Sequence, residues 1–287
     1  VPQTINTNIV STNAQRNTST SQSSLAVSMQ RLSSGLRVNS AKDDAAGLAI
    51  AERMTSQVRG MNAAIRNAND GISMSQTAEG AMGKVADSLQ RMRELSVQAA
   101  NATNSNSDKD SLDKEFGELA KEIQRVVGGT SFNGINILGA GAGAFQFQVG
   151  ANTTANDTID ITTTDLTSDA TITAVAGTDN TGNARAVIDN TATAADIKTV
   201  IDNIDLALDT VSSQRAVMGA SQSRFDSVIS NLQISVESQT AAKSRIMDTD
   251  FAAETANLSR SQILQQAGNA MVAQANQLPQ QVMTLLR

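Results

Sequence analysis

The stretch LQRMRELSVQAAN, Leu89 to Asn101, sets Arg91, Arg93 and Glu94 within about one helical turn of a chain otherwise rich in Ala, Ser, Thr, Asn and Gln. Three chemistries use such a group. Guanidinium groups grip anionic ligands, a carboxylate beside a cation works as a catalytic acid or base, and charges around an apolar residue rim a protein interface. A second charged block, SAKDDAAGLAIAE, carries Asp43 and Asp44. These suit the start of a long helix, where carboxylates accept backbone N–H bonds and oppose the dipole. As a metal pair they lack further ligands nearby in sequence. The loop GAGAG, Gly139 to Gly143, is not a phosphate loop, because no Gly-Lys-Ser/Thr follows it.

Composition narrows the choice. The 287 residues include no His and no Cys. The usual zinc sites and the Ser-His and Cys-His nucleophiles are therefore absent, and no catalytic residue, cofactor or metal is expected. A formal net charge of −6 argues against nucleic-acid binding, which needs a basic footprint. No apolar run approaches a membrane span. The start VPQTINTNIV lacks the basic and apolar regions of a cleavable secretory signal, so the chain reads as cytoplasmic or as exported by another route. Its 6 aromatic residues are all Phe. Elongated packing of Leu, Ile, Met, Val and Ala is expected in place of an aromatic core.

The elements that must position the charged groups are long helices. From Ala45 to Ala100 the apolar residues Met54, Val58, Met61, Ile65, Ala68 and Ile72 recur in steps of four and three, and resume through Ala78, Met82, Val85, Leu89 and Met92. Two consecutive steps of three pass through Ser75, a stammer-like slip that overwinds a seam. Such a seam signals a coiled coil, here a rod of roughly 80 Å. After NATNSNSD, with Asn106, Ser107 and Asp108 as candidate N-caps, a second stripe runs through Leu112, Phe116, Leu119, Ile123 and Val126. A third runs from Ile197 to Val236, with polar Arg215 and Gln222 in seam positions that set register. The methionines Met54, Met61, Met82, Met92, Met218 and Met271 read mostly as seam filler. Between the helices, FQFQV and TIDIT alternate strictly and predict a β-hairpin. Residues 164–195 are low in complexity and read as a short, solvent-facing insert.

Both ends keep helical apolar spacing in a polar background. Ile5, Ile9, Leu32 and Leu36 mark the first; Phe251, Leu258, Leu264, Met271, Leu278, Val282 and Leu285 mark the second. Neither end is apolar enough to fold well alone, so they are expected to pair with each other and with other subunits. The fold expected is mainly α: an elongated antiparallel helical coiled-coil bundle with a small β-hairpin region and paired N- and C-terminal helices. Its parts are an inner domain (1–44 with 244–287), a rod with the hairpin (45–163 with 196–243) and the insert.

These segments resemble bacterial flagellin. INTNIVSTNAQRN, RLSSGLRVNSAKDDAAGLAIAERM, QTAEGAM, LQRMRELSVQAAN, FNGINIL, FQVGAN, IDLALDTVSSQRAVMGASQSRF and LPQQVMTLLR follow in family order, over roughly 3–163 and 197–287. Only about 30 residues stand where large flagellins carry extra outer domains, so the chain resembles a short form with a reduced variable region. The resemblance implies a structural subunit that polymerises into the flagellar filament for motility; the other reading within the same fold is a hook–filament junction protein. It also implies export through the flagellar type III apparatus without a cleavable signal peptide. The implied partners are an export chaperone, the filament cap, hook-junction proteins and copies of itself.

The resemblance places residues as well. The connector carrying Arg31, Asp43 and Asp44 falls at a subunit contact. The terminal assembly helices carry Ile5, Ile9, Leu32, Leu36, Leu264, Met271, Leu278, Val282, Leu285, Leu286 and Arg287. The last three also match the region that intracellular inflammasome receptors sense. Vertebrate Toll-like receptor 5 binds the family through an arginine and a leucine that match Arg91 and Leu95, with an acid matching Glu115. The spacing of the charged knot supports a surface role: Leu89 and Met92 occupy the seam, which turns Arg91, Glu94, Leu95 and Gln98 onto another face. The expected receptor or subunit interface is thus Gln90, Arg91, Glu94, Leu95, Gln98 and Glu115, with an exposed Leu95 as its apolar centre.

Overall fold

The computed structural model describes residues 7–285, and side chains through residue 277. Ile5, Leu286 and Arg287, and the side chains of Leu278, Val282 and Leu285, lie outside the described residues. The chain divides into two compact units, Val1–Ser56 with Glu237–Arg287, and Gln57–Val236. The sequence-based boundaries, near 44 and 244, lie closer to the termini.

The larger unit is built on three helices: α2 (Ala45–Ala99), α3 (Asn106–Gly129) and α5 (Ala194–Met247), the first and last running on into the other unit. α2 stays helical for 55 residues because it contains no Pro and its apolar seam is continuous. The slip in the seam places Ser75 in the core, where its hydroxyl donates to the Gly71 carbonyl at 2.9 Å. Both polar seam residues of α5 meet one carboxylate of α2: Gln222 donates to Glu79 at 2.9 Å, and Arg215 lies 4.0 Å from it. A single acid opposite two polar seam positions fixes the register of α5 on α2. The N-cap of α3 is Ser105, one residue before the candidates read from the sequence, and it forms a capping box with Asp108.

The strands follow their signals. β3 (Ala144–Gln148) pairs antiparallel with β4 (Thr158–Thr162), with Phe147 opposite Ile159. A smaller hairpin, β1 (Ser131–Phe132) with β2 (Ile135–Asn136), turns through Asn133 and Gly134, both at positive φ. The Asn-Gly pair is a strong hairpin signal.

The segment 164–195 departs from the solvent-facing insert expected. It holds a short helix, α4 (Ala170–Ala176), and Leu166, Ile172, Val175, Ala176 and Ile188 are buried in the main core. Polar ties fasten it to α3. Arg185 donates to both oxygens of Asp113, which also accepts the Ile188 N–H, and the Gly177 carbonyl accepts from Gln124. A few well-placed apolar residues, spaced for one turn of helix, suffice to make a low-complexity segment part of the core.

The smaller unit pairs α1 (Ile9–Ser34) with α6 (Phe251–Leu285). The chain leaves α1 through Gly35 in the left-handed conformation at φ 71°, which lets the Gly35 N–H bond the Arg31 carbonyl and close the helix. The connectors then lie side by side: the Arg37 N–H donates to the Met247 carbonyl, and the Thr249 N–H to the Gly35 carbonyl.

Candidate functional site

The charged knot on α2 joins three helices. Arg91 donates to Glu94 on its own helix and to Glu115 on α3, both at 2.9 Å. Two residues on, Arg93 holds Asp205 of α5 in a two-pronged contact at 2.6 and 3.2 Å. The hydrogen bonds from Glu94 and then Glu115 hold the Arg91 guanidinium above its usual range. The Arg93 hydrogen bond holds Asp205 below the usual carboxylate range. That link is complete above the ordinary aspartate range and is lost as falling pH protonates Asp205. These side chains are about half exposed, so solvent screens each pair and none anchors the fold alone.

Gln90, Arg91, Glu94 and Gln98 are exposed along one side of α2, and Glu115 joins them from α3. Leu95 does not. It is 1% exposed, and with Phe116 of α3 it belongs to the main core. The reading of an exposed Leu95 counted a single seam on α2. The buried set there is wider, adding Ala86 and Leu95 beside Val85, Leu89, Met92 and Ser96, because α2 faces both α5 and α3. The signal was present: Leu95 stands three residues after Met92 and four before Ala99, and the amphipathic α3 needed a surface to cover.

A second feature lies in the smaller unit. The buried residues of α1 are Ser11, Thr18 and Ser28, all small and polar, with Leu25 and Leu32 half-buried beside them. On α6 the seam runs through Glu254, Ser261, Gly268 and Ala275, each seven residues from the next. Gly268 lets the backbones approach: a Cβ there would stand 2.5 Å from the Thr18 hydroxyl. At one end Ser11 donates to Asn276 at 2.7 Å, and Asn8 donates to the Ala275 carbonyl. The pair therefore spends its small and polar residues inward. Ile9, Val10, Val27 and Met29 of α1, and Phe251, Ile263, Leu264 and Met271 of α6, stand exposed. The single apolar stripe read from Phe251 to Leu285 is thus not the face that pairs; of its described members Leu258 is on the seam, and Leu264 and Met271 point away. Leu32 and Leu36 are half-buried. Met271 is accordingly not seam filler.

The connector residues find partners within the chain. Arg31 stands 3.9 Å from the buried Glu254, and its charge also bears on Asp43. Arg37 donates to the Ile246 carbonyl at 2.7 Å, closing the last turn of α5. Asp44 accepts the Gly47 N–H and caps α2, whereas Asp43 accepts from Ser40 and Asn39 and shapes the turn before it. The Ser40 hydroxyl and these N–H groups hold Asp43 below the ordinary carboxylate range. Among the described residues, no group of three or more His, Cys, Asp or Glu side chains is placed to hold a metal. No described helix is long and apolar enough to cross a membrane.

Comparison with known proteins gives one family. Residues 5–142 match the bacterial flagellin N-terminal helical region, and residues 201–286 the bacterial flagellin C-terminal helical region. The chain is 45% identical over 283 residues to a flagellin of Halalkalibacterium halodurans, covering 99% of each. It is 41% identical over 305 residues to a flagellin of Bacillus subtilis, again covering 99% of each. A crystal structure of Bacillus cereus flagellin matches with a TM-score of 0.47 and 31% identity, over 58% of this chain and 88% of that one.

Proposed function

The chain belongs to the bacterial flagellin family, as a short-form structural subunit that polymerises into the flagellar filament, and on that premise we propose that the apolar outer faces of α1 and α6 are the surfaces neighbouring subunits cover. The observation that carries the proposal is the inverted helix pair. A stable isolated pair puts its large apolar side chains inward, and this one leaves Ile9, Met29, Ile263, Leu264 and Met271 in solvent. Covering the remaining exposed part of each such side chain contributes roughly 1–2 kcal/mol, so several per subunit, repeated along a polymer, make a strong drive to assemble. Purified full-length monomer mixed with filament fragments in raised salt should elongate them, as seen by electron microscopy. A monomer that elongates no seed would refute the assignment.

In this reading the subunit leaves the cell through the flagellar type III apparatus with an export chaperone that shields the same faces. It then adds to the filament under the cap and meets hook-junction proteins at the base.

A second role rests on the knot. Toll-like receptor 5 would bind released monomer through Gln90, Arg91, Glu94, Gln98 and Glu115, an exposed polar strip centred on one arginine. Leu95 would act only by fixing α3 against α2, since it is buried. Arg91→Asp removes the bridge to Glu115 and reverses the charge at the centre. It should lower receptor signalling by at least about 30-fold, the scale of an interface hot spot. A reporter-cell response equal to that of the unaltered chain would sink the assignment.

A further inference from the structure

Cys, Trp, Tyr and His are all missing from this sequence, so its 10 methionine thioethers are the side chains most open to two-electron oxidation. Their placement is segregated. In the larger unit Met61, Met74, Met82, Met92 and Met218 are all buried. In the smaller unit Met54 and Met247 are half-buried, whereas Met29 is 58% exposed and Met271 is 55% exposed, on the outer faces of α1 and α6. We propose that Met29 and Met271 are two oxidation-sensitive positions, at which peroxide-class oxidants convert free subunits into an assembly-incompetent form.

The inference rests on the proposed assembly surface. The chemistry is an oxygen-atom transfer. A sulfur lone pair attacks one peroxide oxygen, the O–O bond breaks, and that oxygen stays on sulfur as the sulfoxide. The sulfur is oxidised by two electrons, and hydrogen peroxide is reduced to water. The product replaces a flexible apolar group by a polar acceptor. In the free subunit water solvates that acceptor at little cost. In a subunit contact it would be buried without a partner, so the loss falls on assembly and spares the monomer fold. The buried methionines of the larger unit are out of reach of the oxidant while that unit stays folded.

Full-length monomer is treated with hydrogen peroxide, mapped by peptide mass spectrometry and offered to filament seeds. Met29 and Met271 should gain oxygen well before Met82 and Met92, and seeded elongation should slow at least about tenfold, a loss equivalent to one poorly satisfied buried acceptor. Methionine sulfoxide reductase should restore elongation. Whatever its own starting rate, the chain carrying both Met29→Leu and Met271→Leu should elongate seeds as fast after peroxide as before it. In assembled filaments both thioethers should become protected. Equal oxidation of all methionines, normal elongation of the oxidised chain, or loss of elongation by the peroxide-treated double variant would each overturn the proposal. Untreated chain that fails to elongate seeds overturns the assembly surface itself, and is distinguished by needing no oxidant.

Discussion

Leu264→Asp is expected to abolish seeded polymerisation and to leave the free monomer as helical and as stable as before, to within about 0.5 kcal/mol. Leu264 is half exposed on α6, off the seam that faces α1, with Ile263 beside it and Met271 one heptad along. A carboxylate at this position in the monomer stays in water, so α6 loses only a small propensity term. In a subunit contact the same carboxylate is desolvated with no cation supplied, at an effective cost of several kcal/mol. Elongation repeats that cost at every added subunit, so even a part of it stops growth. Circular dichroism of the monomer and electron microscopy of seeded samples together check the result. Elongation at the unaltered rate would show that this face is not a subunit contact. Gly268→Leu provides the opposite pattern. Its side chain would meet Thr18 across the seam, so the pairing of α1 with α6 should weaken in the monomer, before any neighbour is involved.

The contrast between those two positions shows what the sequence can carry. Periodicity located α2 to within a residue, because a 55-residue seam repeats its signal many times. It located the β3–β4 hairpin because FQFQ and TIDI alternate without interruption. It failed where one apolar residue serves a second neighbour. Leu95 looked exposed because one helix read alone reveals only its strongest stripe, and burial against α3 depends on where that helix docks. At the ends the apolar spacing points to the pairing that α1 and α6 make, but not to which residues form its seam. The described seam of α1 is mostly Ser, Thr and Ala, residues that hydropathy scores as surface, yet a close helix crossing favours them because they are small. Arg93 and Asp205 lie 112 residues apart, and Asp113 and Arg185 lie 72 apart. No local pattern announces such pairs. The composition of the insert is dominated by its many polar residues and says little about the six that pack.

Phe225→Ala should destabilise the larger unit by about 3–5 kcal/mol, the usual cost of emptying a buried aromatic site. Phe225 is fully buried, and it is the point where α5, α2 and the β3–β4 hairpin meet. Its ring stands edge-on to Phe147 of β3, with centroids 5.7 Å apart. On the other side it rests on Gly71 of α2, where an added Cβ would stand 2.7 Å from the ring. Gly71 is therefore required by the ring, in a helix that would otherwise gain up to about 1 kcal/mol from Ala. The two substitutions should couple. Gly71→Ala alone presses on the ring and destabilises, as overpacking does. Placed in the Phe225→Ala background, the same methyl group enters the space the ring left, and the double variant should be more stable than the sum of the singles by about 1–2 kcal/mol. Urea unfolding of monomer followed by circular dichroism measures all four chains. Simple additivity would mean that α2 and α5 do not meet at this ring, and with it would fall the seam register that brings Glu79 to Arg215 and Gln222.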